Sequence, residues 1–67
     1  MFENRLKEIR ARRRMTQLRL SIETQIPQTK LSYYENGFQT PNLKDKIKIA
    51  DVLEVDVKEI WENATTR

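Results

Sequence analysis

The chain has 67 residues, 13 Lys/Arg against 10 Asp/Glu for a net charge of +3, and neither cysteine nor histidine. That length accommodates one small domain, near the lower limit of what folds on apolar burial alone, and the missing residue types exclude disulfide staples, thiol and imidazole chemistry and the commonest zinc ligands. No carboxylate pair stands out as an acid and base, and the single glycine rules out a phosphate-cradling glycine loop, so the composition argues against an enzyme and against a bound cofactor.

Strand signals are nearly absent, while helix starts and stops recur every dozen residues or so. Leu6, Ile9 and Arg13 share a face in NRLKEIRARR, which predicts a first helix over about Asn4 to Arg13. Thr16 can cap a second helix, about residues 16–24, by accepting a backbone N–H bond. A third helix follows at once over about residues 27–36, with Pro27 suited to its first turn and Gly37 to a left-handed C-terminus. Asn42 with Asp45 resembles a capping box opening a fourth helix through Leu53, and Asp56 with Glu59 repeats the device for a short fifth helix carrying Ile60 and Trp61. The expected architecture is all-α, five short helices in one domain over residues 1–67.

At 100° per residue the third helix places Leu31 and Tyr34 on one side and Gln28, Thr29, Ser32 and Tyr33 on the other. One side is suited to packing and the other to touching a partner. Two short helices joined by a tight turn form a helix-turn-helix, whose second helix fits the roughly 12 Å wide major groove of B-DNA. Charge is distributed in the same sense. Residues 1–36 hold eight Lys/Arg and four acids, a balance of +4, and the remainder five and six, a balance of −1. Attraction to phosphate would therefore come from the first half.

Several motifs now fall into one order: Ile9-Arg10, Thr16-Gln17, Glu35-Asn36-Gly37, Pro41-Asn42-Leu43 and Ile49-Ala50-Asp51-Val52-Leu53, then Val55, Val57 and Ile60-Trp61. Over residues 4 to 61 this order resembles the Cro/CI phage-repressor type of helix-turn-helix domain, the XRE family, and implies its lambda-repressor-like fold. The resemblance implies base contacts from Gln28, Thr29, Ser32 and Tyr33, and DNA-backbone contacts from Gln17, Arg13, Arg14, Lys30 and Asn36. Phe38 occupies a position where the family commonly has a phosphate-contacting Lys or Arg. Gln17 would also brace the recognition helix. Arg10 and Glu35 match an ion pair between the first and recognition helices, and Tyr34 falls at a core position.

Some positions depart from the family pattern. Arg14 and Gln25 stand where glycine or asparagine and glycine are usual, so residues other than glycine are expected to adopt positive φ. Leu18 and Ile22, four apart on the second helix, replace polar residues; they are either isolated exposed apolar side chains or a surface for a protein partner. Ile60 and Trp61 are candidates for a dimer contact, with a core role as the alternative.

These features together predict a sequence-specific regulator of transcription, a repressor binding double-stranded DNA at a palindromic operator as a homodimer. An antitoxin-like protein-interaction module on the same fold is the rival. Five short helices leave little room for a small-molecule pocket. No apolar run approaches a membrane span and the basic start lacks a secretion signal's apolar core, so the expected location is the cytoplasm, on the nucleoid. The resemblance further implies a prokaryotic, phage or plasmid origin.

Overall fold

The computed structural model describes residues 4–61. These residues form five α-helices, α1 Leu6–Arg12, α2 Gln17–Thr24, α3 Gln28–Glu35, α4 Leu43–Leu53 and α5 Val57–Trp61, with no strand among them. Helix α2 packs on α3 and α4, α1 on α3 and α5, and α5 closes against α4.

Apolar spacing decides which face of each helix turns inward. Leu6 and Ile9 of α1, Leu31 and Tyr34 of α3, and Ile49 and Leu53 of α4 recur at three or four residues and are all buried. Leu20, Ile26, Ala50, Ile60 and Trp61 complete the core, with Met15, Val52, Val55 and Val57 packed on its edge. Full burial of one such aliphatic side chain is worth about 1.5–3 kcal/mol. Ile60 and Trp61 belong to this core, Ile60 with no exposed surface and Trp61 with 7%. Of the two roles expected for them, this placement is the core one, and it leaves little surface for a dimer contact. The Trp61 indole N–H has no acceptor among the described residues, and Lys46 Nζ stands 5.9 Å from the ring centre.

Caps set the helix boundaries, with small shifts from the expected ones. The first helix starts at Leu6 with Arg5 as its N-cap residue, and Asn4 Oδ1, one residue further out, accepts the Leu6 N–H at 2.8 Å. The Asn4 amide also donates to the Tyr34 carbonyl at 2.8 Å, tying the start of α1 to the end of α3. Thr16 caps α2 through the Arg19 N–H at 3.0 Å. Pro27, with φ −55° and ψ 142°, is the residue before α3 rather than its first turn. Asn42 caps α4 through the Asp45 N–H at 2.8 Å, but Asp45 does not reach back; its carboxylate accepts the Tyr34 hydroxyl at 2.8 Å. At α5 the reverse half of the box forms, the Asp56 N–H donating to Glu59 at 3.2 Å.

Four helices end through a left-handed residue: Arg14 (φ 55°), Gln25 (62°), Gly37 (78°) and Glu54 (60°). Arg14 and Gln25 were expected there, and Glu54 was not. At Gly37 the N–H bonds the Tyr34 carbonyl and the next N–H, of Phe38, bonds the Tyr33 carbonyl; Arg14 with Met15 and Glu54 with Val55 repeat this pattern. This is the Schellman closure, which satisfies carbonyls that a helix end leaves open.

Candidate nucleic-acid interface

The turn between α2 and α3 fixes how the third helix stands. With Gln25 left-handed in place of a glycine, side-chain hydroxyls support the local backbone. Thr24 Oγ1 donates to the Leu20 carbonyl at 2.7 Å and accepts the Ile26 N–H at 3.3 Å, and Ser21 Oγ donates to the Ile26 carbonyl at 2.6 Å. Ile26 then drops into the core, and α3 leaves the turn anchored by Leu31 and Tyr34. Ser21, Thr24 and Asn4 escaped the sequence reading; Ser and Thr in the last turn before a non-glycine positive-φ position are the signal that could have found the first two.

With that side fixed inward, Gln28, Thr29, Lys30 and Tyr33 are exposed and Ser32 is half-buried. The four expected base-reading residues therefore share one outward face. Tyr33 packs edge-on against Phe38, ring centres 6.4 Å apart, the apolar contact that accompanies the Schellman closure. The Asn36 amide donates to Ser32 Oγ at 3.4 Å, so both stand at the exit of the helix.

A chain of hydrogen bonds runs from this face to α1. Gln28 Nε2 donates to Gln17 Oε1 at 3.2 Å, and Gln17 Nε2 donates to Glu35 Oε1 at 3.2 Å. Glu35 also accepts Arg10 Nε at 2.6 Å on Oε2 and Arg10 Nη2 at 3.2 Å on Oε1, and Arg10 Nη1 donates to the Met15 carbonyl at 2.8 Å. The Glu35 side chain is 3% exposed and that of Arg10 14%. A shielded two-pronged pair thus holds the end of α3 to α1, and Gln17 carries that rigidity to Gln28. Gln28 is exposed, and one amide hydrogen and the oxygen take no part in these bonds, the pair of groups that can meet adenine N7 and N6.

The expected phosphate-contacting residues are placed unequally. Lys30 and Arg14 are exposed and form no ion pair among the described residues. Arg13 instead turns to the end of α4, its guanidinium 3.4 Å from the Glu54 carboxylate and 3.3 Å from the Glu54 carbonyl. That pair is exposed and long, so exchanging it for phosphate costs less than about 1 kcal/mol. Phe38 is 63% exposed, but its N–H is already bonded to Tyr33 and its ring carries no donor. At this position the ring instead offers a packing contact with Tyr33 and no charge to meet a phosphate. Elsewhere, Arg5 and Arg12 flank Glu8 and hold its carboxyl below the usual range, and Arg19 pairs with Glu23. Much of the first half's positive charge is thus internally matched, which sequence counting does not reveal.

Leu18 and Ile22 are 55% and 67% exposed, on the outer side of α2. Shallow grooves of about 420 and 280 Å³ lie along α4, the first lined by Asp51, Glu54, Asp56 and Glu59 and the second by Glu23 and Lys48 among others. Among the described residues there is no cluster able to hold a metal ion and no helix long and apolar enough to cross a membrane. Compared with known families, residues 6–60 match the family model described as helix-turn-helix. No curated protein matches the chain.

Proposed function

Because the chain belongs to the helix-turn-helix family of the XRE, Cro/CI type and is thereby a DNA-binding regulator of transcription, we propose that it is a repressor that binds a palindromic operator as a homodimer. Helix α3 enters the major groove, where Gln28, Thr29, Ser32 and Tyr33 read bases and Lys30, Arg14 and Gln17 meet phosphate. The observation that carries this reading is the outward polar face of α3 with Gln28 held by Gln17, which is held in turn by the shielded Arg10–Glu35 pair. A preorganised amide loses less rotamer freedom on binding than a free one. A single α3 spans few base pairs, so two copies with recognition helices about 34 Å apart supply the needed selectivity. Occupying an operator that overlaps a promoter then excludes polymerase, and the site of action is the nucleoid in the cytoplasm.

Selection of bound sequences from random DNA tests this reading. A consensus with two inverted half-sites is expected, bound with a slope of log K against log salt of about −5 if the dimer neutralises roughly six phosphates. A flat salt dependence, or no enriched sequence, would remove nucleic acid as the partner.

A second reading, compatible with the first, is that α2 docks a protein, as an antitoxin-like module would. The exposure of Leu18 and Ile22 supports it, since this pair stands on the solvent side of α2 and contributes nothing to the core. Changing both to glutamate should leave helicity and operator binding intact while abolishing repression that depends on the partner. Unfolding of that variant would show that the pair is structural.

A further inference from the structure

The outward face of α3 is held at both of its edges. At 100° per residue it covers an arc of roughly 140° from Gln28, through Ser32 and Thr29, to Tyr33. Gln28 stands on the α2 side, where Gln17 holds its amide. Tyr33 stands at the other edge and meets Phe38 there, the ring centres 6.4 Å apart and the ring planes at 76°. Phe38 is itself fixed by the backbone. The Phe38 and Gln39 N–H groups both donate to the Tyr33 carbonyl, at 2.9 and 3.4 Å, and left-handed Gly37 turns the chain back toward the helix.

An edge-to-face aromatic pair is favourable beyond the area it buries, so the contact restricts the Tyr33 ring before any partner arrives. Neither ring belongs to the core, and both remain open to solvent, Tyr33 at 43% and Phe38 at 63%. Their chemistry limits what they can recognise. The Phe38 ring has neither charge nor donor and offers a phosphate nothing. Among the groups that base pairs present in the major groove, the thymine C5 methyl is the apolar one. An exposed aromatic pair at the edge of a base-reading face matches that methyl better than any polar base edge.

We propose that Phe38 is a positioning residue for base reading, holding the Tyr33 ring against the thymine methyl of one base pair per bound chain. The proposal rests on the DNA-binding reading and adds to it a base identity and a second brace, apolar where the one from Gln17 is polar. Gln28 and Tyr33 are five residues apart, about 7.5 Å of helix rise, and stand at opposite edges of the face. The thymine read by Tyr33 is therefore a different base pair from the one read by Gln28. Substituting Phe38 changes which sequences are preferred, although the residue lies outside α3.

Two measurements on the full chain decide the matter. In the first, each thymine of the DNA sequence enriched by selection is replaced in turn by deoxyuridine, which removes one methyl and nothing else. At one position the parent should lose about fourfold in affinity, roughly what burial of a single such carbon is worth. Phe38→Ala should shrink that factor to below about twofold while keeping the preference at the Gln28 base pair, and Phe38→Tyr, which retains the ring, should restore it. In the second, without DNA, the proton couplings across the Tyr33 Cα–Cβ bond should report one rotamer in the parent and an average in Phe38→Ala. Three results would overturn the proposal while leaving DNA binding in place: no thymine whose methyl matters to the parent, a methyl effect unchanged in Phe38→Ala, or equal losses for that variant on selected and random DNA. A Tyr33 rotamer unchanged in Phe38→Ala would likewise remove the positioning role. If the parent binds no DNA at all, the functional reading itself fails and methyl reading fails with it.

Discussion

Arg10 and Glu35, 25 residues apart, meet through two parallel hydrogen bonds of 2.6 and 3.2 Å, with the carboxylate shielded and a third acceptor, the Met15 carbonyl, serving the same guanidinium. The pair joins the end of the recognition helix to α1 and anchors the bond chain that ends at Gln28. Removing one partner would strand a poorly solvated charge. Either Arg10→Ala or Glu35→Ala should therefore cost roughly 3–5 kcal/mol in urea unfolding. A loss under about 0.5 kcal/mol for both would place the pair with ordinary surface bridges.

The Tyr34 hydroxyl and the Asp45 carboxylate make a second internal tie, between α3 and α4, with both residues buried. Burial first, then the bond to Asp45, pushes the phenol from 10.0 up to about 12. The folded state thus favours the neutral phenol. Its contribution to stability is complete below the unfolded value of 10.0 and is lost as pH rises through about 12. Alkaline unfolding followed by circular dichroism should fall in that window. Tyr34→Phe should remove the alkaline dependence while costing about 1–3 kcal/mol near neutrality, because Asp45 loses its donor. An unchanged alkaline profile in Tyr34→Phe would assign the transition to another group.

Much of this was legible in the sequence, and the reasons differ by residue. The inward faces of α1 and α3 followed from apolar spacing, and the caps at Thr16 and Asn42 from side-chain chemistry confined to a few neighbouring residues. Interactions between distant segments were less accessible. Asp45 read as the second half of a capping box, and only packing of α3 on α4 turns it to Tyr34. Arg13 counted as available positive charge until the fold set it against Glu54, 41 residues on. Ile60 and Trp61 illustrate the limit of composition, because a core and an interface use the same side chains. The exposed Leu43 and Ile47 of α4 were missed for a related reason: they fit an amphipathic pattern as well as Ile49 and Leu53 do, and only the packed structure shows which pair is left outside.

Left-handed residues other than glycine offer a stability test. A side chain at Gln25 costs about 1 kcal/mol in this conformation relative to glycine, partly offset by the greater unfolded-state freedom of glycine. Gln25→Gly should thus stabilise the domain by roughly 0.5 kcal/mol, raising the melting temperature by about 2–4 °C. Gly37→Ala should do the reverse, with a loss of about 1 kcal/mol or more, since its φ of 78° disfavours a Cβ. A Gln25→Gly domain that melts lower than the parent would mean that the Gln25 side chain contributes more than its backbone strain removes.

Sequence selectivity should reside in the residue at the end of the bond chain. Gln28 is exposed and keeps one N–H and its oxygen uncommitted to this chain of bonds, while its other N–H is held by Gln17, which is itself held by Glu35. Gln28→Ala should cost about 1–3 kcal/mol on the preferred operator and relax preference at one base pair per half-site, as a lost bidentate base contact does. Gln17→Ala leaves the reading groups of Gln28 in place but frees them to rotate, so it should weaken operator binding without changing which base is preferred. Lys30→Ala, exposed and outside any ion pair among the described residues, should weaken binding to operator and random DNA alike and lower the salt slope by about one per site. Measuring each variant on both DNAs at several salt concentrations separates these effects. Equal losses on operator and random DNA for Gln28→Ala would show that this side chain positions the helix and that base reading falls to Thr29, Ser32 and Tyr33.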